Sequence, residues 1–259
     1  MFPDYDFYLI AVPAVLLVGL SKGGMGEALS LMGVPILSMA VSPVQAAALL
    51  LPILIAMDMV SLWIWRKHGD RRTLFMLLPS AIAGIAVGWA TSAYVPRDAL
   101  RLIIGLITVT FVLRYVYTVW LSRNGAPIRP KPQRAGPAAL WGSLAGYGSF
   151  VAHAGGPPFQ IYALPLKLEP REYTGTIVRF FAILNAVKLV PYFALGQLDL
   201  SNVTISATLF PLAMVATACG AWIVRRMKPQ VFYPFMYTMA LIAGSKLVWD
   251  GLANLLSGS

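Results

Sequence analysis

Long apolar runs separated by short polar stretches set the pattern of this chain. The runs extend over about 6–21, 24–41, 44–65, 73–95, 98–121, 137–153, 157–166, 171–195, 202–224 and 230–252. About 20 helical residues cross the hydrocarbon core of a bilayer. Most of these segments are therefore predicted to be membrane-spanning helices. The shorter ones lie beside two glycine-rich interruptions, Ser21-Lys22-Gly23-Gly24-Met25-Gly26 and Val151-Ala152-His153-Ala154-Gly155-Gly156-Pro157-Pro158, and are predicted to be half-helices or steeply placed ones. Paired glycines uncover the backbone, and prolines fit the first turn of a new helix, so one helix should end and another begin at the second interruption. Freed backbone groups cost several kcal/mol each in hydrocarbon, so such breaks persist only where they pack in protein or line a polar cavity. A helix N-terminus facing that cavity attracts anions.

The two halves of the chain carry a common pattern. An offset of 127 places Pro43 on Pro170, Asp58 on Asn185, Ser61 on Lys188, Trp65 on Tyr192 and Gly69 on Gly196. An offset of 132 then places Pro79 on Pro211, Gly88 on Gly220 and Arg114 on Lys246. The expected organisation is a first transmembrane repeat at 1–121, a Pro-rich basic linker at 122–136 and a second repeat at 137–259. Charge decides their relative topology. Of the 20 Lys and Arg residues, 13 lie in the four loops 66–72, 123–134, 167–171 and 225–228, while the connections at 41–43, 94–98 and 196–202 hold only Arg97. The basic loops should be cytoplasmic and both termini external. Segment 44–65 then runs inward and its counterpart 171–195 outward, so the repeats are inverted. The fold class is all-α, a polytopic transmembrane helical bundle of two inverted repeats with glycine-broken helices. Paired breaks in inverted repeats point to a transporter's binding site at the midplane, with both breaks facing one cavity.

Composition supports a membrane protein: of 259 residues 58% are hydrophobic and 12% charged, with mean hydropathy +0.72, far from a soluble domain. The formal charge of +10 reports orientation here and implies no nucleic-acid partner. Cys219 is the sole cysteine, which excludes an intrachain disulfide and a cysteine metal cluster; it reads as a small packing residue. Acidic residues near the N-terminus, where a signal peptide is basic, predict that the first helix is retained.

Ionisable residues inside helices are costly and usually face a cavity or a partner. Lys188 stands near the middle of segment 171–195, and Phe181, Asn185, Lys188 and Tyr192 fall on one helical stripe. Lysine supplies charge, Asn185 and Tyr192 neutral donors, and the break at Gly155 and Gly156 backbone donors: an oxyanion site. The alternative is that Lys188 snorkels outward or pairs with Asp58. Lys22, with Gly23 and Gly24 at the first break, reads equally as a second anion-binding point or as a cytoplasmic anchor. Asp58 and Glu27 are candidates for a coupling proton or ion. Asp58 reads equally as half of a fixed ion pair, and Glu27 as a first-turn residue favoured by the helix dipole. His153 is placed to donate to an anion or carry a proton, or to satisfy a backbone group. Gln160 is a further uncharged donor. Arg179 lies about 180° around the helix from Lys188 and reads as structural. Arg114 and Lys246 read as interfacial anchors.

Taken together, Lys22-Gly23-Gly24-Met25-Gly26 followed by Gly33-Val34-Pro35, then His153-Ala154-Gly155-Gly156-Pro157-Pro158, and then Phe180-Phe181-Ala182-Ile183-Leu184-Asn185-Ala186-Val187-Lys188-Leu189 before Tyr192 and Gly196 make a series. In that order and spacing the chain resembles the sulfite exporter TauE/SafE family of membrane permeases, over nearly its whole length. The resemblance implies movement of small sulfur-containing anions such as sulfite or organosulfonates, without a bound cofactor, across a bacterial-type inner (plasma) membrane. The expected partners are the anionic substrate, the lipid bilayer, a coupling proton or ion, and further copies of the chain if it oligomerises.

The reading is a secondary carrier working by alternating access, with an anion channel as the alternative. An intramembrane enzyme would need His153, Asp58 and Glu27 as acid and base groups. The chain has no His-Glu-x-x-His, Gly-x-Ser-x-Gly or phosphate-loop motif, so no enzymatic activity is expected. An assembly subunit would need neither the paired breaks nor an internal cation.

Overall fold

Helices account for the regular structure of every described part of the chain. The computed structural model describes residues 5–41, 43–91, 94–121, 130–194 and 200–257, and side chains at 43–44, 47–48, 191–194, 200–203 and 257 lie outside that description. In order, the elements are α1 (Tyr5–Leu20), a wide π-type turn (Ser21–Met25), α2 (Glu27–Ser30), α3 (Gly33–Leu37), α4 (Pro43–Ile64), α5 (Arg71–Thr91), α6 (Arg97–Leu121), α7 (Ala135–Val151), α8 (Gly156–Ala163), a 3-10 turn (Leu164–Leu166), α9 (Pro170–Ala194), α10 (Leu200–Arg226) and α11 (Pro229–Ser257). Six stretches among them are long and apolar enough to cross a membrane: Tyr5–Met25, Arg71–Thr91, Arg97–Leu121, Pro170–Val190, Thr204–Arg226 and Pro229–Leu256.

The boundaries follow local chemistry. Pro43, Pro170 and Pro229 open α4, α9 and α11, where a missing N–H costs nothing. The Asp70 carboxylate accepts the Thr73 backbone N–H at 2.9 Å and so caps α5. The apolar run at 24–41 forms two helices of barely a turn each, because Gly26 (φ 97°, ψ 151°) has a positive-φ, non-helical conformation and a turn at Leu31–Met32 separates α2 from α3.

The chain divides into two compact units, each drawing on both halves of the sequence: residues 1–69 with 170–228, and residues 70–169 with 229–259. In the first, α1 and α4 pack on α10 around a core of Ala11, Val15, Val18, Leu49, Ile53, Met57 and Leu209. Small residues make the α1/α10 crossing. A Cβ at Gly23 would meet the Thr217 carbonyl, and one at Gly220 the Leu20 carbonyl. In the second unit α5 packs on α7 and α6 on α11. A Cβ at Gly146 would overlap the Ala81 carbonyl, and one at Gly105 would meet the Gly244 carbonyl. Lipid is as apolar as leucine, so close backbone approach at glycine supplies the packing energy that hydrophobicity does not.

One residue outside the sites departs from its sequence reading. Cys219 is exposed on α10 and does not pack in the core. Lys246 pairs with Asp250 one turn along α11, at 2.8 Å.

Candidate functional site

The first glycine-rich interruption is held from two sides. After α1 ends at Leu20, Gly24 takes φ 120° and Gly26 φ 97°, conformations closed to most side chains. This releases carbonyls from the helical ladder, and side chains take them up. Ser21 Oγ donates to Gly26 O at 2.8 Å, Ser61 Oγ to Lys22 O at 2.7 Å, and Trp65 Nε1 to Gly23 O at 3.2 Å. Ser61 on α4 and Trp65, the first residue past its end, are fully buried. On the other side Thr174 of α9 occupies the space that a Cβ at Gly24 would need. Buried backbone groups thus have partners, as a membrane interior requires.

This turn presents Lys22 to α4. Its Nζ lies 2.7 Å from Asp58 Oδ1, and Asn185 Nδ2 of α9 donates to Asp58 Oδ2 at 2.6 Å. Both side chains of the ion pair are about nine-tenths buried, with 13% and 10% exposed. Lys188, one turn beyond Asn185 on α9, is 7% exposed. It lies within electrostatic reach of Lys22, Asp58 and Glu27, and Glu27 within reach of the same three. Two lysines and two acids therefore form one cluster in which full ionisation gives a formal charge of zero. Asp58 has both oxygens engaged, with Lys22 as its ion-pair partner. Asn185, read as a substrate donor, spends one amide hydrogen on Asp58 and keeps the other. The side chain of Tyr192 lies outside the described residues.

Arg179 is structural, as its position opposite Lys188 suggests. Its guanidinium donates to the carbonyls of Trp65 (3.1 Å), Arg66 (2.7 Å) and Gly175 (3.1 Å). Arg225 donates to Ile64 O and lies over the Trp65 ring, 5.2 Å from its centroid. Two guanidiniums thus satisfy the last carbonyls of α4, at the negative end of its dipole. Glu172 accepts the Gly69 N–H at 2.7 Å, beside His68 Nδ1 at 3.2 Å.

The second interruption lies in the other unit and is built differently. His153, not a glycine, takes the left-handed conformation (φ 53°), while Gly155 has ordinary helical angles (φ −78°, ψ −23°). Ala154 N donates to Gly148 O at 2.9 Å, the long-range bond that ends a helix around a left-handed residue. The His153 backbone thus terminates α7, and its side chain is exposed. Gly155 and Gly156 are buried. The first turn of α8 has few N–H groups to offer, because Pro157 and Pro158 have none and Phe159 N donates to Gly155 O at 3.4 Å. Every residue of α8 is buried, and among the described residues neither the amide nitrogen nor the oxygen of Gln160, 1% exposed, has a hydrogen-bond partner. An unsatisfied buried amide costs about 1–3 kcal/mol, so Gln160 is a point at which a polar guest is favoured.

Beyond α8, Lys167 (φ 52°) places its ammonium among three tyrosines, 5.0 Å from the Tyr115 ring, 4.2 Å from Tyr233 and 5.2 Å from Tyr237. Tyr233 OH donates to Leu168 O. The half-buried Lys167 ammonium is pushed below its usual range by desolvation.

Sequence reasoning entered Ser61 and Trp65 only as members of the repeat. A further signal was present: both lie at helical spacing from Asp58, three and seven residues on, and so share its face.

The family model described as sulfite exporter TauE/SafE matches residues 11–247. No curated protein matches, and no solved structure does.

Proposed function

The chain belongs to the sulfite exporter TauE/SafE family, an integral membrane transporter family for sulfur compounds, and on that premise we propose that it carries sulfite or an organosulfonate by alternating access. The observation that carries the proposal is the cluster around Lys188, a buried cation on a helix inside a membrane protein. Such a cation marks a substrate or ion pathway by default. In this reading Lys188 supplies the main positive charge, the free hydrogen of the Asn185 amide and the Tyr192 phenol supply neutral donors, and the ion pair to Asp58 sets the orientation of Lys22. Gly23 and Gly24 let the backbone approach the substrate. In the other unit Gln160, Gly155, Gly156 and His153 are the corresponding polar points. The transporter resides in a bacterial-type inner membrane, with basic loops cytoplasmic and both termini external.

Inverted repeats are part of the proposal, and contacts within each unit support them. Asp58 and Asn185, equivalent under the 127 offset, touch each other. Residues related by a two-fold axis meet only beside that axis. α6 likewise packs on α11, its counterpart under the 132 offset, and the pairing of α1 with α10 is repeated by that of α7 with α5.

The test is ligand-dependent stability of the detergent-solubilised protein against sulfite, sulfate, thiosulfate, sulfoacetate and taurine, followed by counterflow in proteoliposomes. A ligand that binds only the folded state raises apparent stability, by about 2.7 kcal/mol at 100 times Kd. Stabilisation by sulfite or a sulfonate, with labelled substrate exchanging against a gradient of unlabelled substrate, is expected. A pore would show flux without counterflow, and an assembly subunit neither.

A further inference from the structure

The charge balance around Lys188 has a consequence for transport stoichiometry. Glu27 on α2 lies within electrostatic reach of Lys22 on the π-type turn, Asp58 on α4 and Lys188 on α9. Among the described residues, those four groups are the charged side chains of the cluster. Asp58 is committed on both oxygens, to Lys22 Nζ and to Asn185 Nδ2, so protonating it would break a buried ion pair. The Glu27 carboxylate has no hydrogen bond or ion pair among the described residues. It is the one acid of the cluster that gains a proton without breaking a contact.

With all four groups ionised the cluster is neutral, and an arriving monoanion leaves it at minus one. Net charge buried in a membrane protein is costly, and a proton on Glu27 restores neutrality. We infer that Glu27 takes up one proton for each monovalent oxyanion that binds beside Lys188, so that anion and proton cross together with no net charge. The inference rests on the transport reading above. The balance is simple: a proton leaves water on one side, bonds to a Glu27 carboxylate oxygen while the anion is bound, and returns to water on the other side once the anion has left. A dianion would leave the cluster at minus one even after protonation, so hydrogensulfite and simple sulfonates suit it better than sulfate.

The experiment uses the full chain in proteoliposomes, with labelled sulfite as the probe and a trapped pH-sensitive dye. Protons moved per sulfite are counted for the wild type and for Glu27→Gln at the same pH. Protons that hydrogensulfite itself carries are common to both proteins, so the difference belongs to the chain. The wild type should move one more proton per anion than Glu27→Gln, and its flux should not respond to an imposed potassium diffusion potential. Glu27→Gln should retain measurable counterflow but lose at least ten-fold in accumulation driven by a pH gradient. Equal proton counts in the two proteins, or a wild-type flux that follows the potential, overturns the inference while leaving the carrier intact. A wild type with no counterflow overturns the transport reading and the inference with it. If Glu27→Gln does not fold, Glu27→Asp, which keeps a carboxyl, replaces it. Coupling retained at a displaced pH supports the inference, and unchanged pH dependence contradicts it.

Discussion

Asn185 donates a hydrogen bond to Asp58 across 127 residues of sequence, at 2.6 Å. The same offset aligns Pro43 with Pro170 and Gly69 with Gly196. The contact joins α4 to its proposed counterpart α9 and fixes the carboxylate that holds Lys22. Asp58→Asn should therefore be severely destabilising. It removes the counter-charge from a lysine whose side chain is 13% exposed, and breaking a buried pair on one side costs about 3–5 kcal/mol. A combined Lys22→Met and Asp58→Asn variant should be less unstable than the sum of the two single losses, because neither charge is left alone. Thermal melts of the four proteins in one detergent check this. Additive losses would mean that the pair contributes nothing of its own.

The π-type turn depends on α4. Trp65→Phe keeps most of the buried ring but leaves Gly23 O without its donor, at a cost of about 1–3 kcal/mol for an unsatisfied buried group. Ser61→Ala does the same to Lys22 O. Both variants should lower the melting temperature and weaken sulfite-dependent stabilisation, since each loosens the segment carrying Lys22. Unchanged sulfite affinity in a measurably destabilised Trp65→Phe would separate that turn from binding.

At Gly24 two costs coincide. Its φ of 120° is unfavourable for an L residue, and a Cβ would meet the Thr174 side chain. Gly24→Ala should cost more than the roughly 1–2 kcal/mol of left-handed strain alone. Shortening the neighbour with Thr174→Ser should recover part of the loss. Melting temperatures of the single and double variants measure that recovery.

The tyrosine cage around Lys167 predicts a contrast. Lys167→Met removes a cation seen by three rings and should cost about 0.5–2 kcal/mol. Tyr115→Phe keeps the ring, removes the hydroxyl that accepts from Lys167 Nζ at 3.4 Å, and should be close to neutral. Equal losses in the two thermal melts would show that hydroxyl groups, not ring faces, hold the lysine.

Much of this architecture is legible in the chain. Apolar runs bounded by Pro43, Pro170 and Pro229 place the starts of α4, α9 and α11 within one residue, because a proline both ends the preceding loop and fits a first helical turn. At Gly23-Gly24 the backbone takes φ 120° at Gly24, a value that little but glycine tolerates. Its second counterpart is less transparent: the left-handed residue is His153, and nothing in the Gly155-Gly156 pair signals that. Lys22 reads from sequence as an anion-binding point or a cytoplasmic anchor and Asp58 as a coupling group or half of an ion pair, and 36 residues between them give no periodicity that joins the two. The helical stripe finds Asn185 and Lys188 together, yet it cannot say that Asn185 turns one hydrogen toward Asp58, because that depends on how α4 meets α9. Trp65 went unassigned for a similar reason. Its partner is a backbone carbonyl, which leaves no mark on the side-chain pattern.

The most direct measurement concerns Lys188, 7% exposed on α9. Lys188→Met removes the charge while keeping most of the length, and Lys188→Arg keeps the charge with a different donor geometry. Sulfite counterflow and sulfite-dependent thermal stabilisation are to be compared among these variants and the wild type, each first shown to be monodisperse. Lys188→Met should fold yet lose both responses, and Lys188→Arg should recover part of them. Counterflow by Lys188→Met at the wild-type rate and half-saturating concentration would contradict the assignment of Lys188 as the anion's principal charge partner.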